Sequence, residues 1–171
     1  NIRNRAETAG GGLLDIGCYA VTTSRFILER EPRRVICTME RDAVSGVDLF
    51  CAAILDFGDA RVIFNCGTRS PAGQHMTLHG TEGVMEVPLM ITPPPTEPSQ
   101  LIIKQGRQAW DPPAEVITLD AVNQYTLQGD RFCESIREGA PLPVPMSDSI
   151  ANMKVLDALF RSAESGNWEQ P

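Results

Sequence analysis

The seven residues LFCAAIL, Leu49 to Leu55, lie in a block where hydrophobicity otherwise alternates, yet both sets of alternate positions here are apolar. A strand with one wet face alternates, so this one is expected to be covered on both faces. The segments around it also change with a period of two. VICTMERDA, DLFCAAILDF, ARVIFNCGT, QHMTLHGT and GVMEVP read as strands, and SGVD and FGDA as turns that fold the first three into an antiparallel meander. A helical pattern precedes them: Leu13, Ile16, Gly17, Ala20 and Ile27 make one stripe ending near Glu29, where REPRR stops the helix because Pro32 lacks an amide hydrogen. After the strands, TPPPTEPSQ (92–100) is a proline-stiffened loop, and LIIK and EVITL are short strands. Two helices close the chain, one gathering Tyr125, Phe132, Cys133 and Ile136 on a face, the other Met153, Leu156, Phe160 and Ala163 before stopping at Gly166. The fold class is α+β: a largely antiparallel open sheet with helices packed on one face. These helices are too few to cover both faces. The bare one is expected to join a second copy, giving a homodimer or higher oligomer.

The 171 residues suit a single domain spanning 1–171. A net charge of −7 with no lysine or arginine cluster leaves no footprint for nucleic acid or an anionic membrane. No apolar run approaches the ~20 residues of a membrane span, and NIRNRAETAG lacks the core of a signal peptide, so a cytoplasmic location is expected. Five cysteines (Cys18, Cys37, Cys51, Cys66, Cys133), odd in number and mostly in apolar runs, read as reduced core residues rather than a disulfide framework or zinc site.

Chemistry is concentrated in GGGLLDIGCY, residues 10–19. Asp15 and Tyr19 are four apart, which puts them on one helix face, away from the Leu13/Ile16/Ala20 stripe. A phenol passes a proton to or from a substrate hydroxyl, and a neighbouring carboxylate holds substrate or phenol in line. Glycines at a helix start also permit close approach by a ligand, which makes Gly11 and Gly12 candidates for contact with substrate or cofactor. A plainer reading has Asp15 complementing the helix dipole and Tyr19 as a half-buried aromatic. Gly17 wants a reason, either tight packing on the sheet or room for a ligand, because glycine inside a helix costs ~1 kcal/mol relative to alanine. Arg3 and Asn4, just ahead of the glycines, read either as solvated residues or as ligands of a polyol or cofactor phosphate. Asn123 and Gln124 read equally as helix caps or sugar-hydroxyl ligands. His75 and His79 share a strand face but stand about 13 Å apart by strand rise, too far to share a metal.

IRNRAETAGGGLLDIGCYAVTTSRFILEREPRRV resembles the start of the C-terminal domain of the Gfo/Idh/MocA oxidoreductases. LHGTEGVMEVP and NQYTLQGDRFCESIREGAPLPVP…ALFRSAESGNWEQ continue the resemblance in the family's order over nearly the whole chain. It implies a two-domain enzyme in which an N-terminal Rossmann domain binds NAD or NADP and an α+β domain supplies the substrate site and the oligomer interface. It also implies that Asp15 and Tyr19 are the catalytic pair. The tyrosine form is similar to the branch of glucose–fructose oxidoreductase, xylose dehydrogenase and dihydrodiol dehydrogenase, where a hydride moves between nicotinamide and a sugar, cyclic polyol or dihydrodiol. This chain lacks the Gly-x-Gly-x-x-Gly fingerprint, a parallel βαβ unit and the family's Glu-Lys-Pro lysine, and it opens without methionine. It is therefore expected to be the C-terminal part of a longer protein, inactive alone and with no cofactor of its own. The rival reading is a non-enzymatic interaction module that uses the open sheet face, with Asp15 and Tyr19 incidental.

Overall fold

A computed structural model describes residues 1–106, 111, 113 and 115–171, which divide into two compact units, residues 1–71 with 144–171, and residues 72–143.

The first unit opens with two short 3-10 turns, Ile2–Asn4 and Ala6–Thr8, followed by a π-helical segment, Leu13–Gly17, that runs directly into α1, Cys18–Leu28. Three strands follow: β1 (Arg34–Arg41), β2 (Asp48–Asp56) and β3 (Arg61–Gly67), and the last helix, α3 (Met146–Ser165), completes the unit. The strands form the expected antiparallel meander, in the order β1-β2-β3. The two apolar faces of LFCAAIL have different fates. Cys51, Ala53 and Leu55 enter one core with Val35, Cys37 and Cys66 of the flanking strands, Leu13 and Val21 of the first helical stretch, and Val155, Leu156, Ala158 and Leu159 of α3. On the opposite face Ile36, Ile54 and Ile63 stand in one cross-strand row, and Ile63 is 77% exposed. The described helices of this unit cover one face, and on the other Ile36 and Ile54 are partly buried and Ile63 is exposed.

The buried stripe of the first helix differs from the one read at a steady period of 3.6. Leu13, Gly17, Val21 and Ser24 are buried, whereas Ala20 and Ile27 are only partly so. The π segment is the cause: the Cys18 amide bonds to the Leu13 carbonyl, five residues back, and this wider turn delays the return of each face. In α3 the buried side is Asn152, Val155, Leu156, Ala158, Leu159 and Ser162, while Met153 faces solvent. Ser162 is there because its hydroxyl accepts from the Cys37 amide at 3.0 Å and donates to the Asn167 carbonyl at 2.6 Å, which joins the helix to β1. Both helices stop as expected. Glu29 takes a left-handed conformation ahead of Pro32, and Gly166 caps α3 at φ 69°.

The second unit holds β4 (Met76–His79), β5 (Val84–Val87), β6 (Ser99–Lys104), β7 (Glu115–Leu119) and α2 (Gln124–Glu138). Its strands form a separate antiparallel sheet in the order β4-β5-β6-β7. There are thus two sheets rather than one. The linking residues 68–75, TRSPAGQH, carry Pro71, which has no amide to donate, and Gly73, and they interrupt the ladder. The face expected on α2 is not buried, since Tyr125, Phe132, Cys133 and Ile136 are all exposed. Cys133 is accordingly not a core residue. Cys37, Cys51 and Cys66 are buried, Cys18 is partly so, and none of the five is in a disulfide. Among the described residues no helix is long and apolar enough to cross a membrane, and no group of three or more His, Cys, Asp or Glu side chains could hold a metal ion.

Candidate active site

The glycine run packs against protein on every side. A Cβ on Gly10 would lie 2.5 Å from the Arg3 carbonyl oxygen and 2.8 Å from that of Arg5, and the Gly10 and Gly11 amides donate to the carbonyls of Arg5 and Arg3, both at 3.0 Å. Gly11 has φ +119°, and a Cβ there would overlap Oδ1 of Asp48. At Gly12 the same atom would meet Asp48 Oδ2 at 3.2 Å and the Gly67 Cα at 3.4 Å. The closeness that Gly11 and Gly12 permit is therefore to Asp48 and β3. Asp48 itself is 1% exposed and accepts from the Leu13 amide at 2.6 Å. A carboxylate from the head of β2 thus satisfies one of the unpaired amides that start the π segment and complements their positive dipole end. The sequence reading missed this residue. Its signal was an aspartate in the otherwise apolar VDLF, a position that strands disfavour.

Gly17 has ordinary helical angles, φ −62° and ψ −28°. Its missing side chain is explained by packing, because a Cβ would fall 2.7 Å from Leu13 Cδ1, 3.0 Å from Cys66 Sγ and 3.6 Å from Phe64 Cε2. With Leu13 and Gly17 turned to β3, Asp15 is left partly buried and Tyr19 is 48% exposed. Asp15 Oδ2 accepts from Arg3 Nε at 2.6 Å. That carboxylate holds the Arg3 guanidinium above its ordinary value, and Tyr19 adds to the effect in the same direction. Between Asp15 and Tyr19, burial pushes the Cys18 thiol up. The site therefore offers a phenol able to exchange a proton and a carboxylate able to accept a hydroxyl, backed by a cation.

Of the candidates read from sequence, the structure joins Arg3 to Asp15. Asn4 is exposed in the first 3-10 turn. Asn123 is a cap, its Oδ1 accepting from the Tyr125 and Thr126 amides at 3.0 and 3.2 Å, and Gln124 opens α2; both belong to the second unit. His79 ends β4, and His75 stands just before it, exposed.

The antiparallel α+β fold is one that solved oxidoreductases contain. The chain belongs to the GFO/IDH/MocA family, whose C-terminal domain matches residues 1–86. It is 33% identical over 170 residues to an oxidoreductase of Rhizobium meliloti, covering 99% of this chain and 51% of that protein. It is 29% identical over 169 residues to an NADP(+) D-xylose 1-dehydrogenase of Haloferax volcanii, covering 97% and 50%. A 3-ketoreductase from Actinomadura kijaniata, solved with NADP and TDP-benzene, shares the fold with a TM-score of 0.85 at 21% identity, over 95% of this chain and 49% of that one. The chain spans about half the length of the curated relatives it matches.

The described residues do not fit a dinucleotide cradle. Such a cradle needs helix-start amides presented by a strand of a parallel sheet. Every strand pair described is antiparallel, and the glycine run is filled by Arg3, Asp48 and Gly67.

Proposed function

We propose that residues 1–171 are the substrate-binding and dimerisation domain of a cytoplasmic NADP- or NAD-dependent oxidoreductase acting on a sugar, cyclic polyol or dihydrodiol. The cofactor is held by an N-terminal Rossmann domain outside this chain, and its nicotinamide exchanges a hydride with the substrate carbon. The residues of this chain bind and orient the substrate and move its proton. Tyr19 Oη exchanges the proton of the reacting hydroxyl, and the Asp15 carboxylate accepts a substrate hydroxyl and holds the carbon in place. Alone, the chain is inactive. The observation that carries this reading is the pair itself: in a chain of this family, Asp15 and the half-exposed Tyr19 are presented together by a π-to-α junction locked from below by Asp48.

The test is Tyr19→Phe in the full-length protein, assayed with both cofactors on D-xylose, D-glucose, myo-inositol and a trans-dihydrodiol. Turnover should fall by about 10² to 10⁴, the usual worth of one acid–base group, with little change in cofactor affinity. Full activity in the variant with a lower melting temperature would make the phenol structural. A second reading, a non-enzymatic interaction module, draws support from the cross-strand row of Ile36 and Ile54, both partly buried, and the exposed Ile63. It requires a folded dimer that shows no turnover even with the nucleotide domain attached.

A further inference from the structure

The chain ahead of the glycines is held in place by several hydrogen bonds. The Asn1 side chain accepts from the Arg3 amide at 3.0 Å, and the Thr8 hydroxyl is within 2.8 Å of the Ile2 carbonyl and 3.0 Å of the Arg5 carbonyl. The Gly11 amide donates to the Arg3 carbonyl at 3.0 Å, and Gly10 must be glycine for the Arg3 carbonyl to come that close. These contacts fix the backbone of Arg3. Its side chain then crosses to Asp15, Nε to Oδ2 at 2.6 Å, although it is 55% exposed. Exposed ion pairs contribute little to folding. A backbone this restrained is thus used to aim a side chain whose contact does little for stability.

The contact matters more for geometry than for stability. A carboxylate in a cleft rotates and shares both oxygens with water unless one is pinned. With Oδ2 taken by Arg3, Oδ1 of Asp15 is left without a hydrogen-bond partner among the described residues and is the atom available to a ligand. We infer that Arg3 is a positioning residue of the site: its Nε–H fixes the Asp15 carboxylate so that Oδ1 receives the substrate hydroxyl, and Arg3 itself touches neither substrate nor cofactor. The inference rests on the proposed roles of Asp15 and Tyr19. It assigns Arg3 away from the cofactor phosphate or polyol contact that its position in the sequence also allowed.

The experiment is a double-mutant cycle in the full-length enzyme, on whichever of D-xylose, D-glucose, myo-inositol or the trans-dihydrodiol the unmodified protein turns over fastest. Arg3→Gln should lower kcat about tenfold with the cofactor KM unchanged within about twofold, and Arg3→Lys should recover part of the loss. Introduced into Asp15→Asn, Arg3→Gln should cost nothing further, because Arg3 acts only through that carboxylate. Melting temperatures should agree among the variants. Losses that multiply in the double variant would show Arg3 touching the ligand, and an unchanged kcat would show a bare surface ion pair; either overturns the inference. Tyr19→Phe, run alongside, separates the two levels, since full activity there refutes the catalytic reading itself whatever Arg3 does.

Discussion

Replacing Gly17 by alanine tests why a glycine stands inside helical backbone next to the candidate acid–base pair. Its φ of −62° and ψ of −28° suit any residue. On propensity alone alanine should stabilise by ~1 kcal/mol. Against that, the new Cβ would lie 2.7 Å from Leu13 Cδ1 and 3.0 Å from Cys66 Sγ, where carbon atoms prefer ~3.5–4.0 Å. Leu13 is fully buried and Cys66 belongs to the same core, so any shift of either must be taken up within that core. Overpacking of this kind costs ~1–3 kcal/mol. The net expectation is a loss of about 1 kcal/mol, or about 2–4 °C in melting temperature for a chain of this length. Urea denaturation followed by far-ultraviolet circular dichroism reads it, the midpoint falling at constant slope. In a Cys66→Ala background one of the two close contacts is gone, so the penalty of Gly17→Ala should shrink. A rise in stability by the full propensity gain, or a penalty untouched by Cys66→Ala, would refute the packing explanation.

Two further perturbations probe other parts of the first unit. Ile63→Glu places a charge at the exposed end of the isoleucine row. If that face joins two copies, the substitution should weaken the dimer by at least about 100-fold, equivalent to ~2.7 kcal/mol; sedimentation at micromolar concentration should show a dimer before the change and a monomer after it, and a monomer in both would remove the face from consideration. Asp42 in the β1–β2 turn accepts from the Ser45 and Val44 amides and the Ser45 hydroxyl and pairs with Arg69, which together hold its carboxyl down to about 2. A carboxyl lowered by folding stabilises the fold above its unfolded value of ~3.9 and loses that contribution as pH falls through the folded one. Melting curves of Asp42→Asn should therefore lie below those of the parent at neutral pH and approach them between about pH 4 and pH 2; parallel curves would count against it.

The period-two block was legible because side chains alternate in a strand whatever lies around it, so the meander could be read directly from SGVD and FGDA; the doubled apolar positions of LFCAAIL pointed to cover on both faces, and the core of the first unit supplies it on one. Helix faces were harder. The stripe assigned from Leu13 drifts out of phase because a π turn leaves no mark in hydrophobicity, and the stripe on α3 misses Asn152 and Ser162 because buried polar residues look like surface in a pattern search. The separation into two sheets was equally hidden, since TRSPAGQH reads as any loop and nothing local says that pairing does not resume across it.

The site shows the same division between what spacing reveals and what only folding assembles. Asp15 and Tyr19 stand four apart, and that spacing alone marks them as a candidate pair in the sequence. What holds them comes from elsewhere in the chain: Arg3 is twelve residues from Asp15, and Asp48 is thirty-five from Leu13. The three consecutive glycines are the link between the two. Gly10 admits the Arg3 and Arg5 carbonyls, Gly11 takes a positive φ over Asp48 Oδ1, and Gly12 lies between Asp48 Oδ2 and Gly67. A side chain at Gly10 would displace the Arg3 and Arg5 carbonyls, and one at Gly11 or Gly12 would displace Asp48, each a support of the same turn. A glycine run that looks open to a ligand is in this chain the joint where the segment ahead of it and a sheet edge meet beside the candidate pair.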